Sequence, residues 1–127
     1  MKTEYLILNT RDELIRLDIA TIAYFEAEGN YTHIVLQNGT KCIICMNLSR
    51  MQAIINERLQ HRAAIFARVG KRHIVNLDYV YLISIPTQRL FLSDGRRFAY
   101  QLPVSKEALK ALRDLYVRSL GKSKPED

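Results

Sequence analysis

"RVGKRHIVN", residues 68–76, crowds Arg68, Lys71 and Arg72 around Gly70, adds His73, and runs straight into Ile74 and Val75. Two chemistries fit such a pattern: a solvated turn tip, or a turn that grips an anion. Phosphate suits the second, because fixed cations displace its condensed counterions, and Arg or Lys can also read guanine O6 and N7. The β-branched residues that follow predict a strand, which would hold the cations at a set depth.

Other residue types with chemical potential lead nowhere comparable. Cys42 and Cys45 form C-x-x-C within "KCIICM", a spacing used by zinc and redox sites. The surrounding residues read as a strand, in which positions three apart face opposite sides. No second C-x-x-C accompanies them, so two ordinary half-buried thiols are expected. "GKS" at Gly121–Ser123 lacks the glycine that a phosphate-binding loop needs five residues earlier, where Tyr116 stands. No G-x-S-x-G and no H-E-x-x-H occurs, and His33, His61 and His73 lie in different predicted elements. Glu26 and Glu28 read as acids on an exposed strand edge. No cofactor, no metal and no catalytic site are expected.

A chain of 127 residues predicts one domain, with 48% hydrophobic and 25% charged residues as in ordinary globules. The start lacks a signal-peptide layout and no apolar run is long enough to span a bilayer, so a cytoplasmic protein is expected. The net charge of +6 is unevenly placed: residues 1–60 hold six Lys/Arg and seven Asp/Glu, whereas residues 61–127 hold thirteen and six. A one-sided basic half points to a polyanionic partner, nucleic acid before membrane. Its plain alternative is a surface kept soluble by charge.

These residues must be positioned by short strands. Runs rich in Ile, Val, Tyr, Phe and Thr predict strands at Tyr5–Leu8, Glu13–Leu17, Ile22–Glu26, Tyr31–Gln37 and Lys41–Cys45. Five more are predicted at Phe66–Val69, His73–Val75, Tyr79–Ile85, Arg89–Leu92 and Arg97–Leu102. Asn38-Gly39 and Asp94-Gly95 predict tight hairpins with φ > 0 at both central residues, and Gly29-Asn30 another reversal. Leu48, Met51, Ile55 and Leu59 recur at helical spacing behind Asn47, a ready N-cap. Leu109, Leu112, Leu115, Tyr116 and Leu120 do the same behind Ser105, with Gly121 as the stop. The tail 121–127 is expected to be flexible.

Three stretches, read in order, carry a family resemblance. They are "IAYFEAEGNYTHIVLQNG" (22–39), "IFARVGKRHIVNLDYVYLI" (65–83) and "LFLSDGRRFAYQLPVSKEALKAL" (90–112). Their order and spacing resemble the LytTR-type DNA-binding domain of bacterial transcription regulators. The resemblance implies a mainly β fold, a sandwich of short, mostly antiparallel strands with one mid-chain helix and one C-terminal helix. It implies a single domain over 1–120, best matched at 22–115. It implies a sequence-specific regulator that inserts loops and turns into the major groove of double-stranded DNA at repeated promoter elements.

Carried over position by position, the resemblance implies DNA contacts from the turn at Asn30, Tyr31 and Thr32, from Arg68, Lys71, Arg72 and His73, and from Lys106. Gly70, Arg72 and His73 depart from the residues common in the family, which shifts phosphate contact toward Arg72. Two copies on DNA and a sensor or regulatory partner in trans are further implications. Many family members carry a receiver domain ahead of this module. These 127 residues leave no room for one, because the match begins near residue 22, so a stand-alone regulator and a piece of a longer chain are both open, with Met1 and the strand-like lead-in on the side of the former. Rival readings are a ligand- or protein-binding module on the same fold, motivated by those departures, and an RNA-binding β module using Tyr31, Tyr79 and Tyr81 as stacking platforms.

Overall fold

The computed structural model describes residues 4–121 and 125–126. Most of the expected flexible tail, residues 122–124 and 127, lies outside the described residues. In chain order the strands are β1 (Tyr5–Asn9), β2 (Leu14–Asp18), β3 (Ile22–Glu28), β4 (Tyr31–Leu36), β5 (Lys41–Ile44), β6 (Phe66–Val69), β7 (His73–Asn76), β8 (Val80–Ser84), β9 (Arg89–Ser93) and β10 (Ala99–Pro103). Helix α1 (Leu48–Leu59) separates β5 from β6, and α2 (Lys106–Leu120) closes the chain. The fold is mainly β, and every strand pairing described is antiparallel.

Three sheets form: the β1–β2 hairpin, a five-stranded sheet in the order β5-β4-β3-β7-β6, and a three-stranded sheet β10-β9-β8. The five-stranded sheet is covered on both faces. Successive side chains of a strand point to opposite sides, so on β3 Phe25 and Tyr24 enter different cores. Phe25, Ile34 and Ile74 pack against Met51 and Ile55 of α1 and Leu6 and Leu8 of β1. Tyr24, Val35 and Val75 pack against Leu90 and Leu92 of β9, Leu102 of β10, and Leu109 and Leu112 of α2. Ile22, Ala23, Tyr24 and Phe25 are therefore buried without a break. Full burial of a side chain as large as Phe25 stabilises the fold by roughly 1.5–3 kcal/mol.

Both helix caps match the sequence reading. Asn47 Oδ1 accepts from the Arg50 N–H at 2.8 Å, and Ser105 Oγ accepts from Ala108 N–H at 3.3 Å. Gly121 ends α2 at φ 70°. The stripe on α2 extends beyond its core, since only Leu109 and Leu112 are buried while Leu115 and Leu120 stay exposed. The two expected tight hairpins are wider. Gln37–Thr40 joins β4 to β5, and Asp94–Phe98 joins β9 to β10. Only the glycine of each dipeptide has positive φ, 88° at Gly39 and 81° at Gly95. The Asp94 carboxylate explains the second loop, because it accepts from the N–H groups of Arg96 and Arg97 at 2.9 and 2.7 Å. Gly29-Asn30 is the two-residue reversal, with Glu28 opposite Tyr31 and Gly29 at φ 58°.

Asn76, at the end of β7, ties that strand to β3 and to the turn that leads on to β8. It is 1% exposed; its Nδ2 donates to the Ile22 carbonyl at 2.9 Å, and its Oδ1 accepts from Asp78 N–H at 2.9 Å. Replacing it by alanine strands a buried carbonyl and a turn N–H. Asn76→Ala is expected to destabilise the fold by about 1–3 kcal/mol in urea titrations. A change within about 0.5 kcal/mol, the range of ordinary surface substitutions, would show that neither bond matters.

Candidate nucleic-acid interface

The β6–β7 turn carries Gly70, Lys71 and Arg72. Gly70 sits at φ 66°, a conformation that favours glycine, and a Cβ placed there would lie 3.6 Å from Ala108 Cβ. The turn therefore presses against the first turn of α2. Residues 69–73 on one side and Pro103, Val104, Ser105, Glu107 and Ala108 on the other line a shared cleft of about 610 Å³. Lys71, Arg72 and Lys106 are exposed around this junction. No carboxylate among the described residues forms an ion pair with any of the three.

The β3–β4 reversal lies at the same end. Ala27 N–H donates to the Arg72 carbonyl at 2.8 Å, so the strand leading into Gly29-Asn30 is stitched to the β6–β7 turn. Asn30 is exposed. Tyr31 is 48% exposed and borders a separate cleft formed with Ile43, Cys45 and the loop around Arg11.

Three of the residues expected to touch a partner are placed otherwise. Thr32 is fully buried, and its hydroxyl donates to the Met46 carbonyl at 2.8 Å. His73 is 3% exposed, and its Nε2 lies 3.0 Å from Glu26 Oε2. Both side chains are turned inward, where the sequence reading expected them at the surface. The cause is strand alternation: Thr32 points into the α1 core, and His73 points into the α2 side next to Tyr24. Arg68 is half-buried and turns inward: its Nη2 donates to the Lys71 carbonyl at 2.9 Å and its Nη1 to Gln52 Oε1 at 3.1 Å.

Sequence reasoning also missed a neighbour of this end. Val104 N–H donates to the Gln88 carbonyl at 3.1 Å, and Arg89 pairs in register with Pro103. The β8–β9 turn, Ile85–Gln88, thus flanks the start of α2, with Thr87, Gln88 and Arg89 lining a cleft shared with Ser105. Pro86 and the run into Arg89 mark a turn in the sequence, but nothing local tells that it lands beside Ser105.

Of the three tyrosines of the RNA reading, Tyr79 is committed inward, its hydroxyl tied to the Ala20 carbonyl and its ring against Phe98, whereas Tyr31 and Tyr81 are exposed and border separate clefts. The thiols are unbridged; Cys42 is half-buried, with its pKa raised chiefly by burial, and Cys45 is exposed. No group of three His, Cys, Asp or Glu among the described residues could hold a metal ion. No described helix is long and apolar enough to cross a membrane.

Stacked antiparallel sheets that present cationic turns at one end define a β-framework nucleic-acid-binding domain. The family model for the LytTr DNA-binding domain matches residues 12–116, and the chain belongs to that family. It is accordingly a DNA-binding domain of the transcription-regulator type, from a family defined by binding rather than catalysis. A solved LytTr DNA-binding domain assigned to a methyl-accepting/DNA response regulator of Bacillus cereus superposes with a TM-score of 0.61 at 23% identity, over 91% of this chain and 98% of that one. No curated protein matches the chain significantly.

The Glu26–His73 contact gives this end of the sheet a pH signature. Burial holds His73 below its ordinary value of 6.5; the Glu26 hydrogen bond and charge raise it, and Arg72 lowers it. With the folded pKa lowered, the unfolded chain binds more protons between the two values. Stability therefore rises with pH through that window and is lost as pH falls below about 6.5. The urea midpoint of the wild type should drop between about pH 7 and pH 5.5, and less so in His73→Gln. Equal drops in the two proteins would remove His73 as the cause.

Proposed function

We propose that the chain recognises double-stranded DNA by setting the β6–β7 turn and the start of α2 into a major groove. The supporting observation is the close approach of Gly70 to Ala108, which gathers Lys71, Arg72 and Lys106 at one end, none of them ion-paired to a carboxylate among the described residues. In this reading Lys71 and Lys106 read base edges. Arg72 supplies phosphate contact, Asn30 and Tyr31 flank an adjoining backbone, and Arg89 extends the cationic rim on the far side of Ser105. Thr32 and His73 act from behind, as packing.

The pattern of cost supports the same reading. Lys106 occupies the first position of α2, where a cation opposes the helix dipole and costs roughly 0.3–1 kcal/mol. Glu107 follows in that turn and offsets part of it. A phosphate beside the helix start would reverse the sign of the local field on Lys106. Family membership further supports action as a regulator at repeated promoter elements, with two copies of the domain along the duplex. It supports a cytoplasmic site of action, with input from a sensor partner.

Selection from a pool of random duplexes at about 100 mM salt, followed by sequencing, tests the reading directly. An enriched motif is expected; none would overturn it. On that motif Lys71→Ala and Lys106→Ala should each weaken binding by about 1–3 kcal/mol and relax preference at separate base positions. Arg72→Ala should weaken all sequences alike and reduce the salt slope by about 1. Unchanged preference in both lysine variants would leave the turns without a reading role.

A further inference from the structure

Arg68 makes an inward fork instead of facing out with Lys71 and Arg72. It sits on β6 opposite Ile74, on the sheet face that α1 covers. Its Nη2 donates to the Lys71 carbonyl at 2.9 Å, and its Nη1 donates to Gln52 Oε1 at 3.1 Å, with Ser49 Oγ at 3.5 Å. Three elements meet in one guanidinium: the strand that carries it, the first turns of α1, and the turn at residues 70–72. Its Nε is buried without a partner, so the group is held in place by its two Nη nitrogens.

The next carbonyl along the chain is held from the opposite side. Arg72 O accepts from Ala27 N–H at 2.8 Å. The peptide groups before and after Arg72 are therefore clamped, one by Arg68 and one by β3. A backbone fixed at both points leaves Lys71 and Arg72 few directions in which to project. Pre-set side chains lose less entropy on binding and discriminate better between correct and wrong base edges.

We propose that Arg68 is a positioning residue: anchored on Gln52 of α1, it fixes the Lys71 carbonyl and thereby aims the Lys71 and Arg72 side chains at DNA. The inference rests on the proposed DNA reading for its consequence, but not for the clamp itself. A guanidinium fork is not replaced by an ammonium, whereas a bare phosphate contact tolerates lysine better. Arg68→Lys thus separates the two roles.

The experiment uses the full chain, the motif selected by the wild type, and the variants Arg68→Lys, Arg68→Ala, Gln52→Ala and the Arg68→Lys/Gln52→Ala double. Arg68→Lys and Gln52→Ala should each lower the ratio of specific to non-specific affinity by about tenfold, with the salt slope as in the wild type. The double variant should be no worse than the weaker single, since both remove one linkage. A salt slope reduced by about 1 in Arg68→Ala and restored in Arg68→Lys would identify a direct phosphate contact and overturn the proposal. So would wild-type specificity in every variant while Lys71→Ala loses it.

A DNA-free arm reads the clamp alone. Backbone order parameters of residues 70–72 should fall from a rigid value near about 0.85 to below about 0.6 in Gln52→Ala and Arg68→Lys. Unchanged order would overturn the clamp even where DNA binding is intact. If the wild type selects no motif, the DNA reading fails by itself, and the same order parameters still decide whether Arg68 holds the turn.

Discussion

Strand β3 is buried on both faces, and the placement of every turn at the candidate interface depends on that double burial. A one-residue slip would turn every side chain of a strand to the opposite face. On β3 it would send Phe25 and Tyr24 each into the other's core, because the two faces meet different ones. Phe25 needs the α1 side and Tyr24 the α2 side. With β3 locked, its partners β4 and β7 are locked too. The turns at Gly29-Asn30 and Gly70–Arg72 then leave the sheet at one end, at heights set by strand length rather than by their own residues.

The second consequence is electrostatic. Three cations gathered without an ion pair among the described residues repel one another, and Lys106 additionally faces a helix start. The protein tolerates this because the charges are exposed, where water and salt screen them. The acids of the same strand end are occupied elsewhere. Glu26 holds His73 and Glu28 holds His33, at 3.0 and 2.9 Å. Each histidine keeps a carboxylate turned along the sheet rather than toward Lys71 or Arg72. Neither carboxylate forms an ion pair with Lys71, Arg72 or Lys106.

Much of the framework was legible in the chain itself. All ten strands and both helices lie where alternation, apolar stripes and cap residues place them, with ends displaced by a residue or two. Asn47, Ser105 and Gly121 work because capping is local chemistry, readable from neighbours in sequence. Hairpin geometry was less legible: the Asp94 side chain substitutes for a tight turn by collecting backbone N–H groups, which the dipeptide alone does not reveal. The site was half legible. Lys71, Arg72 and Lys106 stand out by type. The inward placement of Thr32, His73 and Arg68 was not legible, because burial depends on which face a second layer covers, and that layer is built from residues far along the chain. Arg89 was missed for the same reason, since its proximity to Ser105 comes from the β9–β10 register.

The three departures from the family's usual turn are best understood as one compatible set. Gly70 takes φ 66°, a backbone conformation that favours glycine, and so lets the turn lie beside Ala108 of α2 without strain. His73 points inward to Glu26 rather than outward, which removes it from contact and makes it a peg. Arg72 is then the side chain left outside between two clamped carbonyls. A turn with a glycine, a buried histidine and an exposed arginine presents charge but few hydrogen-bonding edges. Affinity through phosphates would increase relative to base readout at this loop. On the proposed reading, discrimination would fall more heavily on Lys71 and Lys106, whose alignment depends on how firmly the backbone beneath them is held.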